Sequence, residues 1–218
     1  TIFIRFEGVN GCSYIDSLDV QINPNPVFVT PQDLEACDDN GNGTALYNFS
    51  AIQDTTILNG ADAADFTITY HTSEQNASNG TEVLSENYRA FDGEQIWFRV
   101  ENNQTNCWSV GSFSTVVNSL PEVSFPSLET PGEYQVCDED YDGKTFVDLT
   151  ALDVQVLDSS NHSTQFFATE DDVSNGISIS DPSNYEVAGS ATIYVKVTNN
   201  TTGCFSVTLL NIAVETPP

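Results

Sequence analysis

The sequence predicts an all-β chain of tandem sandwich modules, and three observations carry that expectation. The 218 residues repeat themselves: CDDNGNGTALYNFS from Cys37 returns as CDEDYDGKTFVDLT from Cys137, and QIWFRVENNQTNCWSV from Gln95 returns as TIYVKVTNNTTGCFSV from Thr192. A third tail, TIFIRFEGVNGCSYI, opens the chain at Thr1. Such self-similarity marks modules in an array, so function must be sought in what the modules share. The tails also alternate at period two. Ile2, Ile4 and Phe6, then Ile96, Phe98 and Val100, then Ile193, Val195 and Val197 each mark one face of a half-buried strand. Finally, Thr, Val, Ile, Ser and Asn abound, Met is absent and apolar runs are short, while 39% hydrophobic residues suffice to build cores.

Taken in order, residues 1–26 read as the C-terminal fragment of a preceding repeat, 27–121 as the first complete repeat and 127–218 as the second. In the fragment, Ile2–Phe6 and Ser13–Ile22 form a hairpin with an apolar face. An isolated hairpin is marginal in water, so either the rest of its own module or strand addition to another chain must cover it. Proline-bearing joints at Asn23–Pro26 and Leu120–Pro131 separate the modules, proline stiffening short extended linkers. In the first repeat, strands are expected at Ala45–Phe49, Phe66–His71, Gln95–Glu101 and Trp108–Val117, with a turn at Ser78-Asn79-Gly80. The second repeat mirrors them at Thr145–Thr150, Thr164–Thr169, Thr192–Thr198 and Phe205–Val214, with turns at Ser174-Asn175-Gly176 and Asp181-Pro182. Leu58–Ala64 and Ala151–Leu157 have room for one helical turn each. Six to eight short strands and one long-range bridge per module favour an immunoglobulin-like sandwich over a barrel.

That bridge follows from the register of five cysteines. Cys37 is expected to pair with Cys107 and Cys137 with Cys204, one intramodule disulfide each, leaving Cys12 unpaired as the second cysteine of a module whose first lies upstream. Each bridge would contribute about 4 kcal/mol in the chain-entropy model and suits an oxidising, extracellular location. No CxxC pair supports a metal-binding cysteine set. Thirty-two acidic residues against five basic ones give a formal charge of −27, which disfavours nucleic acid and anionic membrane surfaces. No apolar run is long enough to span a membrane. Because Thr1 opens inside a strand pattern with no signal peptide, the chain is expected to be an excerpt of a longer precursor.

Two repeated features are chemical candidates. On the polar face of each tail an aromatic precedes a cation by two residues: Phe3 and Arg5, Trp97 and Arg99, Tyr194 and Lys196. This pairing reads as a cation–aromatic clamp on the sheet, or alternatively as a platform on which Trp97, Trp108 and Tyr194 stack a sugar ring. After each first cysteine, Asp38, Asn40 and Asn42 precede Gly43, and Asp138, Asp140 and Asp142 precede Gly143. Alternate oxygens followed by glycine are the opening of a calcium loop, with Asn48 and Asp148 as late oxygens. Phe49 and Leu149 stand where an EF-hand needs its bidentate Glu, so a smaller, structural calcium site is expected, or else a solvated Asx-rich turn. His71 and His162 occupy non-equivalent places with no flanking nucleophile motif, which argues against an enzyme.

The opening Cys137–Leu149, the middle Phe66–Gly80 and the tail Thr192–Ser206 together resemble the repeats of very large bacterial surface proteins exported by type IX secretion, gliding-motility adhesins among them. The resemblance covers nearly the whole chain. It implies a cell-surface, multi-module protein whose stacked domains space a binding tip or sorting region from the membrane, with no catalytic activity. Its partners would be neighbouring repeats of the same chain and surface glycans or other cell-surface proteins. Asn40, Asn42 and Asn48 stand where the family pattern favours acids. Asp16-Ser17-Leu18 and Asp54-Thr55-Thr56 resemble O-glycan acceptor sites of the same lineage, at Ser17 and Thr55.

Overall fold

The computed structural model describes residues 1–130, 132–157 and 161–216. Pro131, which ends the expected second joint, and Pro217 and Pro218, which end the second repeat, lie outside them. The described chain divides into two compact units. One comprises Thr1–Leu34, Leu46–Arg89 and Gly93–Thr115; the other comprises Glu35–Ala45, Ala90–Asp92 and the stretch from Val116.

The chain opens on an antiparallel hairpin, β1 (Ile2–Glu7) and β2 (Ser13–Leu18), with Ile2 opposite Leu18 and Glu7 opposite Ser13. β2 stops at Leu18 rather than Ile22 because β1 offers ladder partners only as far as Ile2. Strands β3 (Leu34–Cys37) and β4 (Thr44–Asn48) follow, then helix α1 (Phe49–Leu58), β5 (Phe66–His71), helix α2 (Glu74–Asn79) and β6 (Asn87–Phe91). The alternating tail becomes β7 (Gln95–Asn102), antiparallel to β5 on one side and to β8 (Trp108–Asn118) on the other. The sheet order is β3-β8-β7-β5, with β4 and β6 forming a separate two-stranded sheet.

The second repeat is built the same way. After β9 (Glu122–Ser124) come β10 (Glu133–Cys137), β11 (Lys144–Val147), β12 (Gln155–Leu157), β13 (His162–Phe167), helix α3 (Glu170–Asn175), β14 (Tyr185–Ala188), β15 (Ser190–Asn199) and β16 (Phe205–Glu215). Its sheet order is β10-β16-β15-β13, faced by the pairs β11-β14 and β12-β9. β10 runs parallel to β16, placing Cys137 opposite Glu215. The inward positions of the alternating tail fill the space between the sheets. Ile193, Val195 and Val197 pack with Val147, Leu149, Phe166, Val187, Leu210 and Ile212 in one buried cluster. In the first repeat the core is aromatic: the Phe49 ring lies 5.4 Å from Tyr70, 5.7 Å from Phe113 and 5.8 Å from Tyr47. Each repeat is thus an immunoglobulin-like β-sandwich, and the chain is all-β in class.

Helices sit where turns were expected. α1 begins nine residues earlier than the expected turn at Leu58–Ala64, because the Asn48 side chain accepts from the Ala51 N–H and caps its N-terminus. Phe49, Gln53 and Ile57, one helical turn apart, are buried, while Asn59 closes the helix in the left-handed conformation. Ser78-Asn79-Gly80 and Ser174-Asn175-Gly176 are the C-terminal ends of α2 and α3, capped by Gly80 and Gly176 at positive φ. Ser73 and Thr169 cap their N-termini by accepting the N–H groups of Asn76 and Asp172. In the second repeat Ala151–Leu157 is not a helical turn: a 3-10 turn at Leu149–Ala151 precedes strand β12.

One glycine is required for a close approach. A Cβ at Gly111 in β8 would stand 2.4 Å from the Phe98 ring and 2.8 Å from that of Phe28, two rings already edge-to-face at 5.0 Å. Gly111→Ala is expected to destabilise the protein by about 1–3 kcal/mol, read as a lower denaturant midpoint with unchanged slope.

Candidate functional site

The cysteines do not pair as expected. Among the described residues one disulfide forms, between Cys37 and Cys204, with Cα atoms 5.6 Å apart. Cys107 and Cys137 are free thiols, and so is the exposed Cys12. The intramodule bridges Cys37–Cys107 and Cys137–Cys204 are excluded by strand geometry. The first cysteine ends a strand lying beside the far end of the repeat's last strand: the Asp38 N–H donates to the Asn118 carbonyl at 2.8 Å, and the Asp138 N–H to the Glu215 carbonyl at 2.9 Å. The second cysteine immediately precedes the start of that last strand, whose 11 residues span roughly 35 Å. A disulfide needs Cα atoms within about 7 Å. Cys37 therefore meets the second cysteine of the following repeat.

The surroundings of the second cysteines repeat closely. Cys204 Sγ lies 4.0 Å from the Asn118 carbonyl, and the Ser206 hydroxyl donates to the Pro121 carbonyl at 2.6 Å, all within one compact unit. Cys107 Sγ lies 3.8 Å from the Asn23 carbonyl, and the Ser109 hydroxyl donates to the Pro26 carbonyl at 2.7 Å, all within the other. Asn23, Asn118 and Glu215 each stand eleven residues after a second cysteine.

The cations of the two full repeats stack on a different aromatic from the one expected. Arg99 lies 4.5 Å from the ring centre of Trp108, and Lys196 lies 4.0 Å from that of Phe205. In both sheets the aromatic is the diagonal cross-strand neighbour, since Arg99 faces Val110 and Lys196 faces Val207. Arg99 is held further. Its Nε and Nη2 reach Glu101 Oε2 at 2.9 and 2.8 Å, and Nη1 donates to the carbonyls of Ser78 at 2.8 Å and Ala77 at 3.3 Å near the end of α2. Trp97 and Tyr194 are half-buried on strands β7 and β15, and Trp108 has one ring face covered by the guanidinium. Ser17 lies exposed on β2 and Thr55 exposed on α1. His71 is a satisfied core residue. Its Nδ1 donates to the Thr81 carbonyl at 2.7 Å, which leaves Nε2 to accept from the Thr69 hydroxyl at 2.9 Å.

The two Asp/Asn loops differ in how their first carboxylate is satisfied. In the first, Asp38 Oδ2 accepts from the Gly43 N–H at 2.8 Å and Oδ1 from Asn42 at 3.1 Å, and Asn42 Oδ1 accepts from the Thr44 N–H at 3.1 Å. The Gly43 N–H, first among these donors, holds Asp38 below the usual carboxylate range. In the second, Asp138 Oδ2 accepts from Gly143 at 2.8 Å, but Oδ1 is buried with no partner. Oxygens of Asp138, Asp140 and Asp142 gather within 4.8 Å of one another. Asp140 is held above its ordinary range, first by the charge of Asp142 and then by Asp138. The expected late oxygens serve elsewhere: Asn48 caps α1, and Asp148 Oδ1 accepts from the N–H groups of Thr150 and Ala151 at 2.9 and 3.2 Å. Each accepts from N–H groups at the start of the helical turn that follows it.

The Arg99 geometry generates a test. Arg99→Lys keeps the charge but loses the planar fork that binds Glu101 and the α2 carbonyls together, so it is expected to cost about 1–2 kcal/mol in urea unfolding.

Comparison with known proteins bears on the repeats. No curated protein matches the chain. Solved structures that match the chain include Sidekick-1 immunoglobulin domains 1–4, at 9% identity and a TM-score of 0.30 over 98% of this chain and 57% of that one. They also include Drosophila OTK extracellular domains 3–5, at 10% identity and 0.33 over 99% and 70%. The titin I-band fragment I67–I69 matches at 10% identity and 0.31 over 90% and 68%. This chain thus spans just over half the length of the Sidekick-1 fragment. A family model described as the Flavobacterium inter-domain disulphide bond domain matches residues 33–121 and again 133–218. With a cysteine of the first match bonded to a cysteine of the second, and the two matches covering most of its length, the chain belongs to the Flavobacterium inter-domain disulphide bond domain family.

Proposed function

We propose that this chain is a non-catalytic structural segment of a long extracellular protein, in which each repeat is stapled covalently to the next. The observation that carries this reading is the Cys37–Cys204 bond, which links the first cysteine of one repeat to the second cysteine of the following one. The remaining thiols continue the same stagger. Cys107 sits against the Asn23 carbonyl as Cys204 sits against Asn118, so its partner is the first cysteine of a repeat upstream. Cys137 stands beside Glu215 as Cys37 stands beside Asn118, so its partner is the second cysteine of a repeat downstream.

The hairpin β1–β2 supports the same array. Ile2, Ile4 and Phe6 are 54%, 43% and 56% exposed, whereas their counterparts Ile96, Phe98, Ile193, Val195 and Val197 are fully buried. The other strands of a preceding repeat are what would bury them. No helix among the described residues is long and apolar enough to cross a membrane. The array would then serve as a spacer in a cell-surface adhesin, holding an attachment or gliding-motility function away from the cell after type IX export. Disulfide staples and a charge of −27 fit such an exposed, oxidising setting. A sugar-stacking role for Trp97, Trp108 and Tyr194 is not favoured, because Arg99 covers a face of the most exposed of these rings.

Peptide mapping under non-reducing conditions, on a segment extended by two repeats at each end, tests the reading. Staggered links from Cys107 upstream and from Cys137 downstream are expected; a Cys107–Cys137 link, or free thiols at both, would refute it. Separately, Cys37→Ser combined with Cys204→Ser is expected to lower unfolding stability by up to about 5 kcal/mol, the chain-entropy limit for a loop this long.

A further inference from the structure

The acidic loop after Cys137 presents an arrangement that hydrogen bonding within the protein leaves unfinished. Asp138 is 1% exposed, yet its Oδ1 has no hydrogen-bond partner. A buried carboxylate oxygen without a donor is costly, and native structures seldom keep one unless an ion or water completes it. Among the described residues no basic side chain fills that role: Lys144 pairs with Glu186 at 3.1 Å. What lies near is more negative charge, the exposed carboxylates of Asp140 and Asp142, with ligand atoms of all three within 4.8 Å of one another. The positive φ of Tyr141 and Gly143 bends the backbone around this group.

We propose that Asp138, Asp140 and Asp142 bind a hard divalent cation of the calcium type. Three carboxylates converging from alternate positions suit oxygen coordination, and the open side of the loop leaves room for the water ligands that complete six or more. The equivalent first loop is not a site of this kind. Asn replaces two of the acids, and both Asp38 oxygens already accept backbone N–H groups. The ion would lie next to Cys137 and to the strand end at Glu215, so binding would order the segment that carries the free thiol. The site does not depend on the stapling proposed above, because all of its side chains come from one loop.

Isothermal titration of the oxidised chain with calcium chloride, and with magnesium chloride as control, tests this. One calcium per chain is expected, with a dissociation constant on the order of 10⁻⁴–10⁻³ M, and weaker magnesium binding. Asp140→Asn with Asp142→Asn, both at exposed positions outside the core, should weaken calcium at least about tenfold. Asn40→Ala with Asn42→Ala in the other loop should leave it unchanged. Absence of binding well into the millimolar range, equal heats for both metals, or equal calcium binding by the Asp variant would overturn the proposal. Any of these outcomes leaves the disulfide map unaffected.

Discussion

The constraint on which the rest of the structure depends is the length of a β-strand. In each repeat the first cysteine is fixed beside the end of the last strand and the second cysteine just before its start, with 11 residues of extended chain between. A strand cannot be shortened without losing the ladder that holds it, so a repeat cannot close a bond on itself. The covalent link passes instead to a neighbouring repeat, and the same strand pairing that builds the sheet decides where that link can form. Fold and connectivity are here consequences of one geometry.

Around that frame the two repeats have diverged in polar chemistry while keeping their apolar positions. The sheet cation is Arg99 in one and Lys196 in the other. Both stack on a cross-strand aromatic, while Arg99 also ties a carboxylate and two helix carbonyls together. A guanidinium supports such multiple contacts because its donors are rigidly arranged, whereas an ammonium acts as a point charge. The loops diverge similarly. Where the first repeat uses neutral amides that accept from the backbone of their own loop, the second gathers like charges that repel.

Much of this was legible in the sequence. The period-two tails gave β7 and β15 and their buried faces, because Ile96, Phe98 and Val100 alternate with polar neighbours and nothing else competes. Helix α1 was hidden because its buried stripe of Phe49, Gln53 and Ile57 places a polar residue in the middle, and Phe49 completes an apparent strand from Ala45. Helix α3 was hidden too, because six residues of helix leave no periodicity to detect. Disulfide pairing was beyond reach: identical spacing in each repeat makes pairing within a repeat and pairing one repeat onward equivalent on paper. The unpartnered oxygen of Asp138 needed burial to be seen, whereas the Asp-rich spacing around it did not.

The long separation of the bonded cysteines has a mechanical meaning. A pull applied upstream of Cys37 and downstream of Cys204 travels through the sulfur–sulfur bond and bypasses the 167-residue span between them. That span, which would stretch to on the order of 550 Å if drawn out, is withheld from extension however far its hydrogen bonds yield. Under load, the first repeat's strands from β4 onward and nearly all of the second can loosen and re-form without the chain growing longer by their length. The segment therefore behaves toward tension as a short tether carrying folded cargo rather than as a series of domains that unravel one after another.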